Sequence, residues 1–113
     1  MKKVYVAHPY LGLPENRARV EGIIIGLMQA YKDTVFISPI HTFGFLYKVL
    51  TYEEGMKLCL ELLKMCDELW LCPGWEQSRG CRIEKETAEQ CGIPIRYLSK
   101  ELTETRDASS SAA

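Results

Sequence analysis

The sequence lacks an apolar run of the ~18 to 20 residues that a membrane-spanning helix needs. Its start, Met1-Lys2-Lys3, leads directly into strand-like residues without the apolar core of a signal peptide. It also lacks an excess of charge, because 14 Lys and Arg residues and 15 Asp and Glu residues give a net charge of −1. A broad cationic face for phosphates is therefore not expected. The composition predicts a cytoplasmic protein that binds neither a membrane nor a nucleic acid polymer.

Close cysteine pairs and clustered histidines are also missing. None of the five cysteines forms the C-x-x-C pair of a zinc ribbon or a redox centre. The two histidines, His8 and His41, are too far apart for a metal-binding motif. We therefore expect reduced, mostly buried thiols, no metal and no cofactor.

What is present is the balanced composition of a globular protein. The chain has 113 residues, of which 47% are hydrophobic and 26% charged, and this length fits one domain. We expect that domain to cover residues 1–99. The remaining residues, 100–113, end in Ser-Ser-Ser-Ala-Ala and have little to bury, which predicts a flexible tail.

Short apolar runs alternate with segments of helical spacing along the chain. The runs predict strands at residues 3–7, 34–38, 68–72 and 93–98. The helical segments are residues 14–31, 52–66 and 78–90, the second opened by a capping box at Thr51 and Glu54 and the third closed by Gly92. Residues 40–50, rich in aromatic side chains, predict a loop that contains at most a helical turn.

Alternating strands and helices predict βαβ units and hence a parallel sheet covered on both faces. The expected fold is a Rossmann-like (flavodoxin-like) three-layer α/β sandwich with four or five parallel strands. Ligands bind such sheets beyond the carboxyl ends of the strands, which here are residues 7–10, 38–41 and 72–75. His8 and His41 are therefore candidates for base or phosphate contacts, or structural hydrogen-bond donors. Tyr10 and Trp75 are candidates for stacking on a base, although Trp75 is equally suited to anchoring a loop.

Glu84 is the most informative residue of the third predicted helix. A helical projection places it on one stripe with Cys81, Ala88 and Cys91, which is the apolar face. Burying an unpaired ionised carboxylate costs several kcal/mol. Such a residue is therefore either paired in a salt bridge, placed at the edge of the face, or retained for chemistry.

Ser78 and Gly80 stand at the start of the same helix. The serine side chain can cap the helix, and the glycine lets a ligand approach the backbone closely. The free N–H groups at this end are suited to an anion such as a phosphate, but ordinary helix capping explains the same residues.

Several motifs together resemble the nucleoside 2-deoxyribosyltransferase superfamily over roughly residues 3–98. The likeness is greatest to a small branch of phage and bacterial proteins. The motifs are the stretch Val4-Tyr5-Val6-Ala7-His8-Pro9-Tyr10, then Asn16, Ser38-Pro39, Cys66-Asp67, and the long pattern Pro73-Gly74-Trp75-x-x-Ser78-x-Gly80-x-x-x-Glu84-x-x-x-Ala88-x-x-x-Gly92-Ile93-Pro94.

The resemblance implies a homodimer or larger homo-oligomer that cleaves the N-glycosidic bond of a 2′-deoxynucleoside or its 5′-monophosphate, by hydrolysis or by transfer. Glu84 matches the nucleophile, and Tyr5 matches the tyrosine that orients it. Ser78 matches the serine that contacts the 5′-phosphate in the phosphate-dependent hydrolases. The matching positions add Gly80, His8, Pro9, Tyr10 and Asn16 as substrate-binding candidates, with His41 and Trp75 from the strand ends.

Two departures from the family pattern keep a second function open. Cys59 stands where the family carries an aspartate, and a thiol is a poor acid for a departing base. The first loop also lacks the phosphate-binding arginine. Arg17, Arg19 and Arg79 are candidates to supply this charge, and a solvent-exposed helix face explains them equally well. The alternative is a non-catalytic nucleotide-binding module of the same fold. Phe43, Phe45 and Tyr47 are expected in the core or a dimer interface rather than at the substrate.

Overall fold

A four-stranded parallel sheet forms the centre of the protein, in a computed structural model that describes residues 1–100. The strands lie in the order β2-β1-β3-β4. Their bounds are β1 Lys2–Ala7, β2 Thr34–Ile37, β3 Glu68–Leu71 and β4 Ile95–Tyr97. The predicted three-layer α/β fold is therefore confirmed. All of the predicted tail except residue 100 lies outside the described residues.

The strands are connected by helices on both faces of the sheet. Their bounds are α1 Pro14–Ala30, α2 Pro39–Phe43, α3 Tyr52–Lys64 and α4 Arg79–Cys91, with 3₁₀ turns at Gly44–Leu46 and Trp75–Gln77. In residues 1–100 no helix is long and apolar enough to cross a bilayer.

Helix α2 occupies a segment for which the sequence predicts mostly loop. Pro39 supplies the backbone angle of a first helical position, and the Ser38 hydroxyl accepts a hydrogen bond from the His41 backbone N–H. These two residues start a helix that the aromatic composition of residues 40–50 does not reveal. The predicted capping box of α3 and the left-handed Gly92 after α4, at φ 72°, are both present.

Strand β1 sends alternate side chains to the two faces of the sheet. Val4 and Val6 pack against α1, whereas Tyr5 and Ala7 face α3 and α4. We call these the α1 face and the α3/α4 face. The α1 face comprises Val4, Val6, Val20, Ile23, Leu27, Ile40, Trp70, Cys72 and Leu98. The α3/α4 face comprises Tyr5, Ala7, Leu63, Cys66, Leu69, Leu71, Cys81 and Ala88.

Candidate functional site

A cavity of about 350 Å³ opens beside the carboxyl ends of β1 and β2, between α2, α3 and the start of α4. Most of its walls are apolar or aromatic. Among the residues that the sequence predicts as a site, the cavity is lined by His8, Tyr10, Ser78, Gly80 and Glu84. Its volume suits a small organic ligand at the edge of the sheet where α/β proteins bind theirs.

Glu84 lies on the inner side of α4 and is 5% exposed. The hydroxyl of Tyr5, which is fully buried on β1, donates a hydrogen bond to Oε2 of the carboxylate. Burial raises the pKa of Glu84 to about 7, and the hydrogen bond from Tyr5 opposes that rise. Burial and the nearby charge of Glu84 also raise the pKa of Tyr5, so that the tyrosine stays protonated and keeps donating.

No cation neutralises this carboxylate within residues 1–100, where none of the ion pairs includes Glu84. The hydroxyl of Tyr5 bonds to Oε2, and Oε1 has no hydrogen-bond partner among residues 1–100. Since no fully buried side-chain oxygen in this part of the chain lacks a partner, Oε1 is not fully buried. It is therefore accessible from the cavity that Glu84 lines. Within residues 1–100 Glu84 therefore forms no salt bridge, and its buried carboxylate lines a ligand-sized space.

Cys59, on α3, lines the same cavity next to Tyr5 and Glu84. Burial, together with the charge of Glu84, raises the pKa of its thiol to about 11. The thiol therefore stays protonated at neutral pH and is a weak proton donor. The structure thus places this cysteine beside the buried carboxylate of Glu84.

His8 follows β1 and is 7% exposed. Its Nδ1 lies 2.8 Å from the carbonyl oxygen of Pro9, and since a carbonyl only accepts, Nδ1 carries the proton. Burial lowers the pKa of the ring, and the charge of Arg19 lowers it further. The neutral ring therefore has an unprotonated Nε2.

The start of α4 forms the polar end of the cavity. Ser78 Oγ accepts a hydrogen bond from the Cys81 N–H at 3.2 Å, which caps the helix. A Cβ atom on Gly80 would lie 3.4 Å from Tyr52 Oη and 3.5 Å from Met56 Sδ. The glycine therefore keeps the cavity open where α3 approaches α4.

Arg79 is the arginine candidate that reaches the cavity. Its guanidinium carbon lies 4.6 Å from the centroid of the Tyr52 ring. The other two candidates are bound elsewhere: Arg17 pairs with Glu21 at 3.3 Å, and Arg19 donates to Asn16 at 3.2 Å. Of the three candidates, Arg79 is therefore the one placed to meet an anionic ligand in the cavity.

Pro9 and Asn16, both predicted to bind substrate, do not line the cavity. Asn16 donates its side-chain amide to the carbonyl oxygen of Tyr10 at 2.8 Å. It therefore holds the loop that presents Tyr10 to the cavity. Pro9 lies against Gly74, where an added Cβ would be 3.6 Å from the proline ring.

His41 and Trp75 also lie outside the cavity. His41 lies between Ser38 Oγ at 2.8 Å and Glu21 Oε2 at 2.7 Å, and so connects α2 to α1. Trp75 packs against Tyr97, with ring centroids 5.5 Å apart. The chain after β3 passes through the left-handed Gly74, at φ 93°, and residues 72–75 do not line the cavity.

The sequence does not point to several residues that form the walls. Tyr52 and Met56 line the cavity on the same stripe of α3 as Cys59, and this i, i+4, i+7 spacing is the signal that identifies them. Phe43 and Tyr47 line it as well, instead of packing in the core, whereas Phe45 is 75% exposed.

Two glycines let the aromatic wall form. Tyr10 and Tyr47 meet edge to face, with ring centroids 5.1 Å apart. An added Cβ would lie 2.6 Å from the Tyr47 ring at Gly12, which has φ 70°, and 3.1 Å from Tyr10 Oη at Gly44. Larger residues at these positions would displace the rings from the cavity.

Comparison with known families gives one match. Residues 2–97 match the model of the family described as domain of unknown function, DUF4406. No curated protein matches the sequence.

Proposed function

The chain belongs to the DUF4406 family, and we propose that it cleaves the N-glycosidic bond of a 2′-deoxynucleoside or its 5′-monophosphate with Glu84 as nucleophile. The observation that carries the proposal is the placement of Glu84: it is buried, has no cation partner in residues 1–100, and lines a cavity of ligand size. Such burial costs free energy, and a catalytic role accounts for that cost.

The chemistry needs a carboxylate at the anomeric carbon. Oε1 of Glu84 attacks C1′, and the C1′–N bond breaks with its electron pair going to the base, which takes up a proton from water. The sugar is then held as an ester of Glu84, and water or a second base displaces it, as in retaining glycosidases. The hydrogen bond from Tyr5 fixes Oε2 and thereby sets the direction of Oε1.

The cavity offers separate surroundings for the two ends of a nucleotide. Aromatic side chains supply flat apolar surfaces on which a base can stack. Ser78 and Arg79 lie at the start of α4, about 9 Å along the helix axis from Glu84, and suit a 5′-phosphate. This separation is on the scale of a sugar and its 5′ substituent.

The presence of a thiol at position 59, in place of an acid, favours a second, non-catalytic function. Apart from Glu84 itself, no carboxylic acid from residues 1–100 lines the cavity, and the thiol, with its pKa raised to about 11, transfers a proton to the base poorly. The alternative is a non-catalytic nucleotide-binding protein that sequesters or senses its ligand. In either case a homodimer or larger homo-oligomer remains our expectation.

A base-release assay distinguishes the two functions. The protein is incubated at high concentration with each common deoxynucleoside and deoxynucleoside 5′-monophosphate, and free base is measured by chromatography. Thermal shifts are recorded with the same compounds. Release of base supports the enzyme. Thermal shifts from nucleotides with no base release support the binding protein. If no compound gives either base release or a thermal shift, both functions are contradicted.

A further inference from the structure

His8 is a buried ionisable side chain in the wall of the same cavity as Glu84, and the hydrolytic half of the reaction needs a group that can accept a proton. We propose that His8 is the general base that activates water against the sugar ester of Glu84. This inference rests on the proposed function, since it assigns the second step of the same reaction.

Strand β1 connects the positions of His8 and Glu84. Tyr5, on β1, fixes the carboxylate from below, and His8 follows the same strand three residues later at its carboxyl end. Both His8 and Glu84 line the cavity, although each is more than nine-tenths buried. A ligand in the cavity therefore has both the carboxylate and the imidazole in the wall around it.

The hydrogen bond to Pro9 decides which ring nitrogen is available. It fixes the proton on Nδ1, and Nε2 is then the atom with a free lone pair. A histidine that acts as general base on the attacking water must be neutral before hydrolysis of the sugar ester and accept one proton during it. The neutral tautomer of His8 meets both conditions.

The surroundings of the ring favour its neutral form. Burial is the largest influence and lowers the pKa of His8, the hydrogen bond to Pro9 opposes it, and Arg19 on α1 lowers the pKa further. Glu84 on α4 and Arg79 line the same cavity, as does the protonated thiol of Cys59 on α3. Once Glu84 is esterified it carries no negative charge, so the group that would favour an imidazolium is then absent.

The step balances without any further reactant. A water oxygen attacks C1′ while its proton moves to Nε2 of His8. The C1′–Oε1 bond breaks, and its electron pair returns to the carboxylate of Glu84. The products are a sugar with a C1′ hydroxyl, an ionised Glu84 and an imidazolium that releases its proton to solvent.

The test compares His8→Ala and His8→Gln with the wild-type protein, using the nucleoside or nucleotide that the wild-type protein cleaves fastest. We expect a first turnover of base release within about threefold of wild type. Steady-state turnover should fall at least about 100-fold, which is the contribution of a general base. Intact-protein mass spectrometry of both variants should show the accumulated sugar ester. Glutamine keeps a donor for Pro9 but cannot take up a proton, so it should not restore turnover.

Sodium azide provides the second readout. Azide attacks C1′ without losing a proton, so it should restore turnover in His8→Ala and give a glycosyl azide. Unchanged turnover in both variants would overturn the proposal, and so would equal loss of the first turnover and the steady state without rescue by azide. If the wild-type protein itself releases no base, the proposed function fails, and the role of His8 with it.

Discussion

The two faces of the sheet differ in what they bury. On the α1 face, the side chains of β1 are Val4 and Val6, which pack among other apolar residues. On the α3/α4 face, the same strand presents Tyr5, whose hydroxyl is bonded to the buried carboxylate of Glu84. On one face the strand stabilises the fold through buried apolar side chains, whereas on the other it holds a buried carboxylate, and that burial costs stability. Substitutions on each face should therefore affect different properties.

The largest effect should come from Glu84→Gln. Glutamine can still accept the hydrogen bond from Tyr5, but it cannot form the sugar ester. We expect base release to fall at least about 10⁴-fold, as when a covalent nucleophile is removed, while thermal shifts from nucleotides persist. The matched control is Glu86→Gln on the exposed side of α4, which should keep the wild-type rate. A rate for Glu84→Gln within tenfold of wild type would remove this residue from the chemistry.

On the α1 face, Ile23→Ala should act on stability alone. Ile23 is 3% exposed, and truncation of such a side chain costs about 2 to 5 kcal/mol of unfolding free energy. Urea denaturation measures that loss. Base release per folded molecule should not change. Ile25→Ala is the control, because Ile25 is 58% exposed on the same helix and its truncation should cost less than about 0.5 kcal/mol.

The pH dependence of the free energy of unfolding should reveal the buried carboxylate of the α3/α4 face. The pKa of Glu84 is about 7 in the folded protein against an ordinary value of 4.5. As pH rises through this interval, the unfolded chain loses its proton first, so the folded state is progressively destabilised. This group should lower the free energy of unfolding by up to about 3 kcal/mol between pH 4.5 and 7, and by nothing further above that range.

Urea denaturation at pH 5 and pH 8 checks this slope. Glu84→Gln should lack the fall, whereas Ile23→Ala should retain it with a lower stability throughout. If Glu84→Gln and the wild-type protein lose stability in parallel, the carboxylate is not destabilised by its burial.

The smallest expected effect is a gain of activity from Cys59→Asp. A carboxylic acid beside Glu84 can protonate the departing base far better than a thiol, so we expect base release to increase at least about tenfold. Cys59→Ser is the control, because serine supplies no acid and should give no increase. Equal rates in the two variants would show that the proton of the base does not come from this position.

Local patterns predict much of this molecule. The alternation of apolar runs and helical spacing gives the parallel sheet, because each pattern depends only on which neighbours share a face. The same reasoning places Glu84 on an apolar stripe with Cys81, Ala88 and Cys91. The structure shows the first three buried, whereas Cys91, the last residue of α4, is exposed. These features do not depend on distant parts of the chain.

The cavity walls depend on contacts that local patterns do not encode. Residues 40–50 have no clear period, so their sequence does not show that Phe43 and Tyr47 turn towards the cavity. The end of β3 is equivalent to the other strand ends in the sequence, but none of residues 72–75 lines the cavity. Asn16 holds a loop through the carbonyl of Tyr10, and a side-chain amide of this kind is indistinguishable in sequence from one that binds substrate.

The most direct test of the account is the position of the covalent sugar. Wild-type protein is mixed with the nucleoside or nucleotide that it cleaves fastest, quenched in acid, digested, and analysed by peptide mass spectrometry. We predict that the peptide containing Glu84 gains the mass of the deoxyribosyl group, with or without its phosphate, and that the same peptide from Glu84→Gln does not. Base release with the sugar attached to another residue would contradict the account.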